Sequence, residues 1–173
     1  VATMRGKKTV RDMILSMGLI GLGAWVLYLF IPHDDQQDPV REISYRAELA
    51  TAERAAPYPV AAPKGLSGKW RATSVYYRSQ SDHGAVWHLG FMDPGNEYVA
   101  VEQGDADPAK FIAKVTHKAE ETTRTVAVNG RDWARYEGPK YDALVLKEPE
   151  VTTVVTGTAP FARLKEMATA LPS

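Results

Sequence analysis

The chain predicts an α+β domain with a mainly antiparallel sheet covered by helices, preceded by one N-terminal transmembrane helix. Three observations carry this. Residues 13–31 (MILSMGLIGLGAWVLYLFI) contain no charge. Seven β-rich runs separated by turn signals follow between Trp70 and Thr156, and helical patterns interrupt and close that series. The order of three strands, a helix, four strands and a helix suits an antiparallel sheet with helices on its faces.

The N-terminal segment reads as a single membrane span. Nineteen helical residues rise about 28 Å at about 1.5 Å each, near the roughly 30 Å hydrocarbon core of a bilayer. Arg5, Lys7, Lys8 and Arg11 precede the run, whereas His33, Asp34, Asp35 and Asp38 follow it. Basic residues favour the cytoplasm, so they set a cytoplasmic N-terminus and an extracytoplasmic C-terminal domain. Trp25, Tyr28 and Phe30 gather near the outer end, where rings suit the headgroup boundary. A cleaved signal fits less well, because its apolar stretch is shorter and ends in small residues, whereas this one ends in Leu29, Phe30 and Ile31. The expected organisation is a cytoplasmic basic tail (1–12), the span (13–31), a tether carrying Pro39 (32–42) and one α+β domain (43–173).

Composition narrows the partners. Lys plus Arg number 21, as do Asp plus Glu, so the net charge is zero and lacks the basic excess of a nucleic-acid binder. There is no cysteine, so the outer domain holds together by packing without disulfides.

Within that domain, residues 43–54 suit a short helix by their Ala, Leu, Glu and Arg content. Residues 55–63 carry Pro57, Pro59 and Pro63 and are expected to run extended across the domain surface. Residues 70–78 are β-branched and aromatic, and 86–92 alternate, with Trp87, Leu89 and Phe91 on one face and His88 and Gly90 on the other. Asp93-Pro94-Gly95-Asn96 makes a turn, and a third strand follows over 98–103. Asp107 and Pro108 then fit the cap and first position of a helix that buries Phe111, Ile112 and Val115 and ends near Ala119.

The later half is a meander. Asn129-Gly130 between two β-rich runs is a strong hairpin signal. With turns at 137–140 and 147–150, the strands fall at 124–128, 131–136, 141–146 and 151–156. Phe161, Leu164, Met167, Ala168 and Leu171 then form one stripe of a closing helix.

Chemistry is thinly signalled. His83 and His88 lie near Asp82, but without the tight ligand spacing of a metal site, and they read as a loop and a strand histidine. No Gly-x-Ser-x-Gly elbow or cysteine nucleophile is present, and Asp105 and Asp107 lack the remaining ligands of a calcium loop. No catalytic, metal or cofactor residues are therefore assigned, and no cofactor is expected. Tyr76, Tyr77 and Trp87 are the candidate partner-binding aromatics, since successive strand residues face opposite sides and some must look outward.

Several strings are distinctive together: RGKKTVRDM, YLFIPHD, AAPYPVAAPKGL, WHLGFMDPGNEYVAVEQ, DPAKFIAKV and VTTVVTGTAPF. On them the chain resembles, nearly end to end, an actinobacterial membrane family catalogued as domain of unknown function 4245. It departs from the expected Leu-Pro-x-Gly-Trp pattern at Ser67-Gly68-Lys69-Trp70. The resemblance implies a bitopic protein with an extracytoplasmic domain and implies no activity. The expectation is a non-catalytic module binding a protein or envelope component beside the lipid bilayer. The alternatives are an accessory subunit of a larger membrane complex, or an extracytoplasmic hydrolase using His88 or His83 with a nearby acid.

Overall fold

A computed structural model describes residues 4–30 and 42–172, with side chains from residue 10 in the first of these segments to residue 26. The chain divides into two units, 1–39 and 40–173.

The first unit contains helix α1 (Met4–Phe30). Its apolar residues do not form a stripe: Met13, Ile14, Leu15, Met17, Leu19, Ile20 and Leu22 point to every side and all are exposed. Among the described residues, no helix is long and apolar enough to cross a membrane. The uncharged run of described side chains begins after Arg11 and Asp12 and stops at Val26, a rise of about 21 Å at about 1.5 Å per residue. Trp25 is exposed on this helix. The side chains of Arg5, Lys7, Lys8, Tyr28 and Phe30, and most of the expected tether, lie outside the described residues.

In the second unit, helix α2 (Arg46–Ala55) leads through an extended segment to strands β1 (Arg71–Arg78), β2 (Val86–Met92) and β3 (Tyr98–Gly104). Helix α3 (Pro108–Val115) precedes β4 (Glu120–Val128), β5 (Arg131–Glu137), β6 (Asp142–Lys147) and β7 (Thr152–Gly157), and α4 (Phe161–Ala170) closes the unit. All seven strands form one sheet in the order β1-β2-β3-β7-β6-β5-β4, antiparallel throughout. The two meanders are thus halves of one sheet, joined where β3 pairs with β7. At that seam Gly157 lies so close to Tyr98 that a Cβ would collide with the Tyr98 carbonyl.

One sheet face carries the main core: Trp87, Leu89, Phe91, Val99, Val101, Trp133, Leu144 and Val155, covered by Ala52 of α2 and Leu164, Met167 and Ala168 of α4. The opposite face buries Val86, Tyr136, Ala143, Val145 and Val154 against Phe111 and Ile112 of α3. Helices on both faces explain why the central strands are buried along almost their whole length.

Local chemistry sets the element ends. Asp107 caps α3 by accepting from the N–H groups of Ala109 and Lys110. That helix stops at Val115 rather than near Ala119, because His117 and Lys118 take left-handed φ angles of 56° and 69°. Glu120 and Glu121, expected to follow the helix end directly, open β4 instead. Asn129 and Gly130 have φ of 50° and 75°, as a type I′ hairpin turn requires.

The segment after α2 corrects one expectation. It is extended, but it does not run over the surface: Tyr58, Ala61 and Ala62 are buried. Gln103 fastens it, accepting from the Ala61 N–H at 2.7 Å and donating to the Pro59 carbonyl at 3.2 Å. Three prolines remove backbone donors that would otherwise need partners, and the Gln103 amide satisfies one N–H and one carbonyl of the segment.

Candidate functional site

Three strands place three polar side chains in a row on the α3 face. Ser74 of β1 lies opposite Gly90, and His88 of β2 lies opposite both Tyr76 and Glu102. Ser74 reaches this face through an irregularity. The β1–β2 register shifts between Ala72 and Ser74, so one extra residue reverses the alternation and puts Ser74 on the face opposite Ala72.

The row is a continuous hydrogen-bonded relay. Ser74 Oγ lies 2.8 Å from His88 Nε2, and His88 Nδ1 lies 2.6 Å from Glu102 Oε1. With Glu102 ionised, only His88 can supply the proton of the second bond, which leaves Nε2 to accept from the Ser74 hydroxyl. The Tyr98 hydroxyl also lies beside Ser74, both against Gly90. Gly90 makes the room: a Cβ there would overlap Ser74 Oγ and come within 2.9 Å of the Tyr98 hydroxyl. Tyr76 roofs the site, its ring stacked on His88 at 4.5 Å between centroids.

Burial governs the electrostatics. His88 and Glu102 are 7% and 6% exposed. Loss of solvent raises the Glu102 carboxyl above its ordinary range, against the lowering effect of its hydrogen bond to His88. Burial also raises Tyr98, with the nearby Glu102 charge adding to it, so that hydroxyl keeps its proton. Glu102 Oε2 is buried without a hydrogen-bond partner. An ionised carboxylate oxygen in that state is costly, so it marks a position where a donor is wanted.

Glu102 lies in the lining of an open cleft of about 550 Å³, with Tyr98, Lys114, His117, Tyr141 and Thr156. The left-handed turn after α3 shapes one wall. Thr116 Oγ1 donates to the Ile112 carbonyl and accepts from the Ala119 N–H, while the Lys118 N–H returns to the Ala113 carbonyl. His117 meets the Tyr141 ring edge-on at 4.8 Å, and Tyr98 lies 5.9 Å from the same ring. The rim is cationic and aromatic, and the floor is an acid.

The aromatics expected to bind a partner do not form one patch. Tyr76 is exposed on the α3 face. Tyr77 is its neighbour on the opposite face, packed against the core with its hydroxyl donating to the Ala55 carbonyl. Trp87, paired with Tyr77, is 0% exposed, and its indole N–H donates to the Ala61 carbonyl at 2.9 Å. Trp87 is a core residue, because the extended segment lies over it. His83 does not join His88: it sits in the β1–β2 loop with its ring near Phe111. Among the described residues, no group of three His, Asp or Glu side chains could hold a metal ion.

Residues 5–171 match the model of a family described as a protein of unknown function, DUF4245. The chain belongs to that family. No curated protein matches the chain. DUF4245 membership covers the first helix and the sheet domain together, so both units are parts of the family's pattern.

Proposed function

We propose that this DUF4245 protein is a single-pass membrane-anchored binding module whose extracytoplasmic domain is non-catalytic. Its site is the cleft over Glu102, and its partner is an envelope component or protein carrying a hydroxyl or ammonium donor beside an anionic group. The open cleft that Glu102 lines together with Lys114 and Lys118, rimmed by Tyr98 and Tyr141, carries this reading. The exposed cations Lys114 and Lys118 would meet the anionic group of the partner, and the Glu102 acid its donor. The anchor is supported by the uncharged run 13–31, the basic residues before it, and apolar side chains exposed on every side of α1.

Cross-linking in membranes followed by purification in mild detergent tests the proposal. Lys114→Glu with Lys118→Glu alters only exposed side chains, so the fold should hold while the cross-linked partner is lost. An unchanged set of partners in that variant overturns it.

The Ser74–His88–Glu102 relay favours a second reading, an extracytoplasmic hydrolase with Ser74 as nucleophile and His88 as base. In that case a fluorophosphonate probe would label the wild-type protein and leave Ser74→Ala unlabelled. Absence of labelling in both returns the relay to a purely structural part of the cleft.

A further inference from the structure

The rim of the Glu102 cleft gathers more positive charge than the protein around it balances. Lys114 lies in the last turn of α3 and Lys118 in the turn after it, and both line the cleft. Lys140 comes from a separate turn, between β5 and β6, yet its Nζ lies 3.5 Å from His117 Nε2 and 5.1 Å from the centre of the Tyr141 ring. His117 and Tyr141 themselves line the cleft, so these contacts bring a third ammonium to the same rim. All three lysines are exposed, and among the described residues none forms an ion pair with an acid. The chain as a whole has equal numbers of acids and bases, so this is a local concentration of unmatched charge.

Neighbouring acids do little to cancel it. Glu102, the acidic residue of the lining, is held by His88 at 2.6 Å, and burial raises its carboxyl toward the neutral form. Glu137 pairs with Arg135, and Asp142 accepts from the Gly138 N–H. Lysine heads only donate and act as point charges, so gathering three of them is unfavourable until an anion joins them. Three ammoniums on two elements suit a group with several acceptor oxygens and two charges better than a monoanion. A phosphate monoester has both properties, with a charge of about −1.5 to −2 at neutral pH.

We infer that this rim binds a terminal phosphate, the dianionic monoester of a soluble molecule or of a lipid headgroup, through Lys114, Lys118 and Lys140. The inference rests on the reading of the Glu102 cleft as the binding site and specifies the anion it takes.

Phenyl phosphate and phenyl sulfate share size and tetrahedral shape and differ by one charge at about pH 8. Nitrogen-15 NMR of the full-length protein in phosphatidylcholine nanodiscs follows the backbone amides of His117, Lys118 and Tyr141. Phenyl phosphate should shift them and bind about fivefold more tightly than phenyl sulfate, the scale of one further exposed charge contact. Lys140→Gln should lose about threefold in phenyl phosphate affinity, and Lys140→Arg, which keeps the charge, should restore it. Nanodiscs containing phosphatidic acid, itself a phosphate monoester, separate the two sources. Amides shifted by that lipid alone, and not by the diester phosphatidylglycerol, place the phosphate on a headgroup; amides shifted only by phenyl phosphate place it on a soluble molecule. Equal binding of the sulfate overturns the phosphate assignment and leaves the cleft as a general anion site. Amides unmoved by every probe overturn the inference outright, and an unchanged set of cross-linked partners in Lys114→Glu with Lys118→Glu then counts against the cleft itself. A Lys140→Gln variant that binds phenyl phosphate like the wild type overturns the role of the third ammonium.

Discussion

Gly90 decides whether the polar relay forms. Its missing side chain is the space in which Ser74 Oγ and the Tyr98 hydroxyl approach each other. Gly90→Ala should force Ser74 out of its bond with His88 and cost about 1–3 kcal/mol by chemical denaturation. Because the clash is with the Ser74 side chain, Ser74→Ala should cost less in the Gly90→Ala background than alone, a coupling a double-mutant cycle reads directly. Glu102 makes the complementary prediction. Burial raises its folded-state pKa above the unfolded value, so its favourable contribution is complete below the ordinary glutamate range and is lost as pH rises through the folded value. Stability should therefore fall as pH rises above the ordinary glutamate range, by up to about 1.4 kcal/mol per pH unit, and Glu102→Gln should flatten that slope. Little of this site was legible in the chain. Alternation alone assigns Ser74 to the face of Ala72, and the extra residue that reverses this has no glycine or proline to announce it. His88 was readable as a strand residue, but its acid partner depends on the β2–β3 register across the turn at 93–97, and its hydroxyl partner on the β1–β2 register, which a loop from 79 to 85 does not specify.

Elements were easier to read, because their boundaries are written in backbone chemistry. Asp107-Pro108 starts α3, Asn129-Gly130 turns β4 into β5, and both stand where the chain predicts them. The exceptions arise where tertiary contacts replace local rules. Three prolines suggest a surface segment, yet a glutamine from β3 draws it into the core. Thr116 ends α3 early by bonding back to Ile112 while holding the Ala119 N–H, and two non-glycine residues absorb the strained turn. That turn forms a wall of the Glu102 cleft, so the stability of α3 bears on the shape of the proposed binding site. Asp107→Ala removes the acceptor of two helix N–H groups and should destabilise the domain by about 0.5–2 kcal/mol in urea unfolding. Asp107→Asn, which retains a side-chain oxygen, should recover most of that loss.

At the scale of the whole molecule, the proposed membrane topology would set which solution the Glu102 cleft meets. The basic residues before 13–31 and the acidic ones after it favour a domain outside the cytoplasm. The complete lack of cysteine makes that orientation measurable with one substitution, since every thiol signal must come from the residue introduced. Ser79 follows β1 in a loop and its side chain is exposed, so Ser79→Cys should leave the fold unchanged. In intact cells a membrane-impermeant maleimide should label the introduced thiol fully, and permeabilisation should add nothing. The same protein should stay with the membrane through a high-salt wash, because a span is held by apolar transfer rather than by charge. Labelling that appears only after permeabilisation would place the sheet domain inside and reverse the charge argument. Release by salt would instead remove the anchor, leaving the exposed apolar surface of α1 to be covered by another protein.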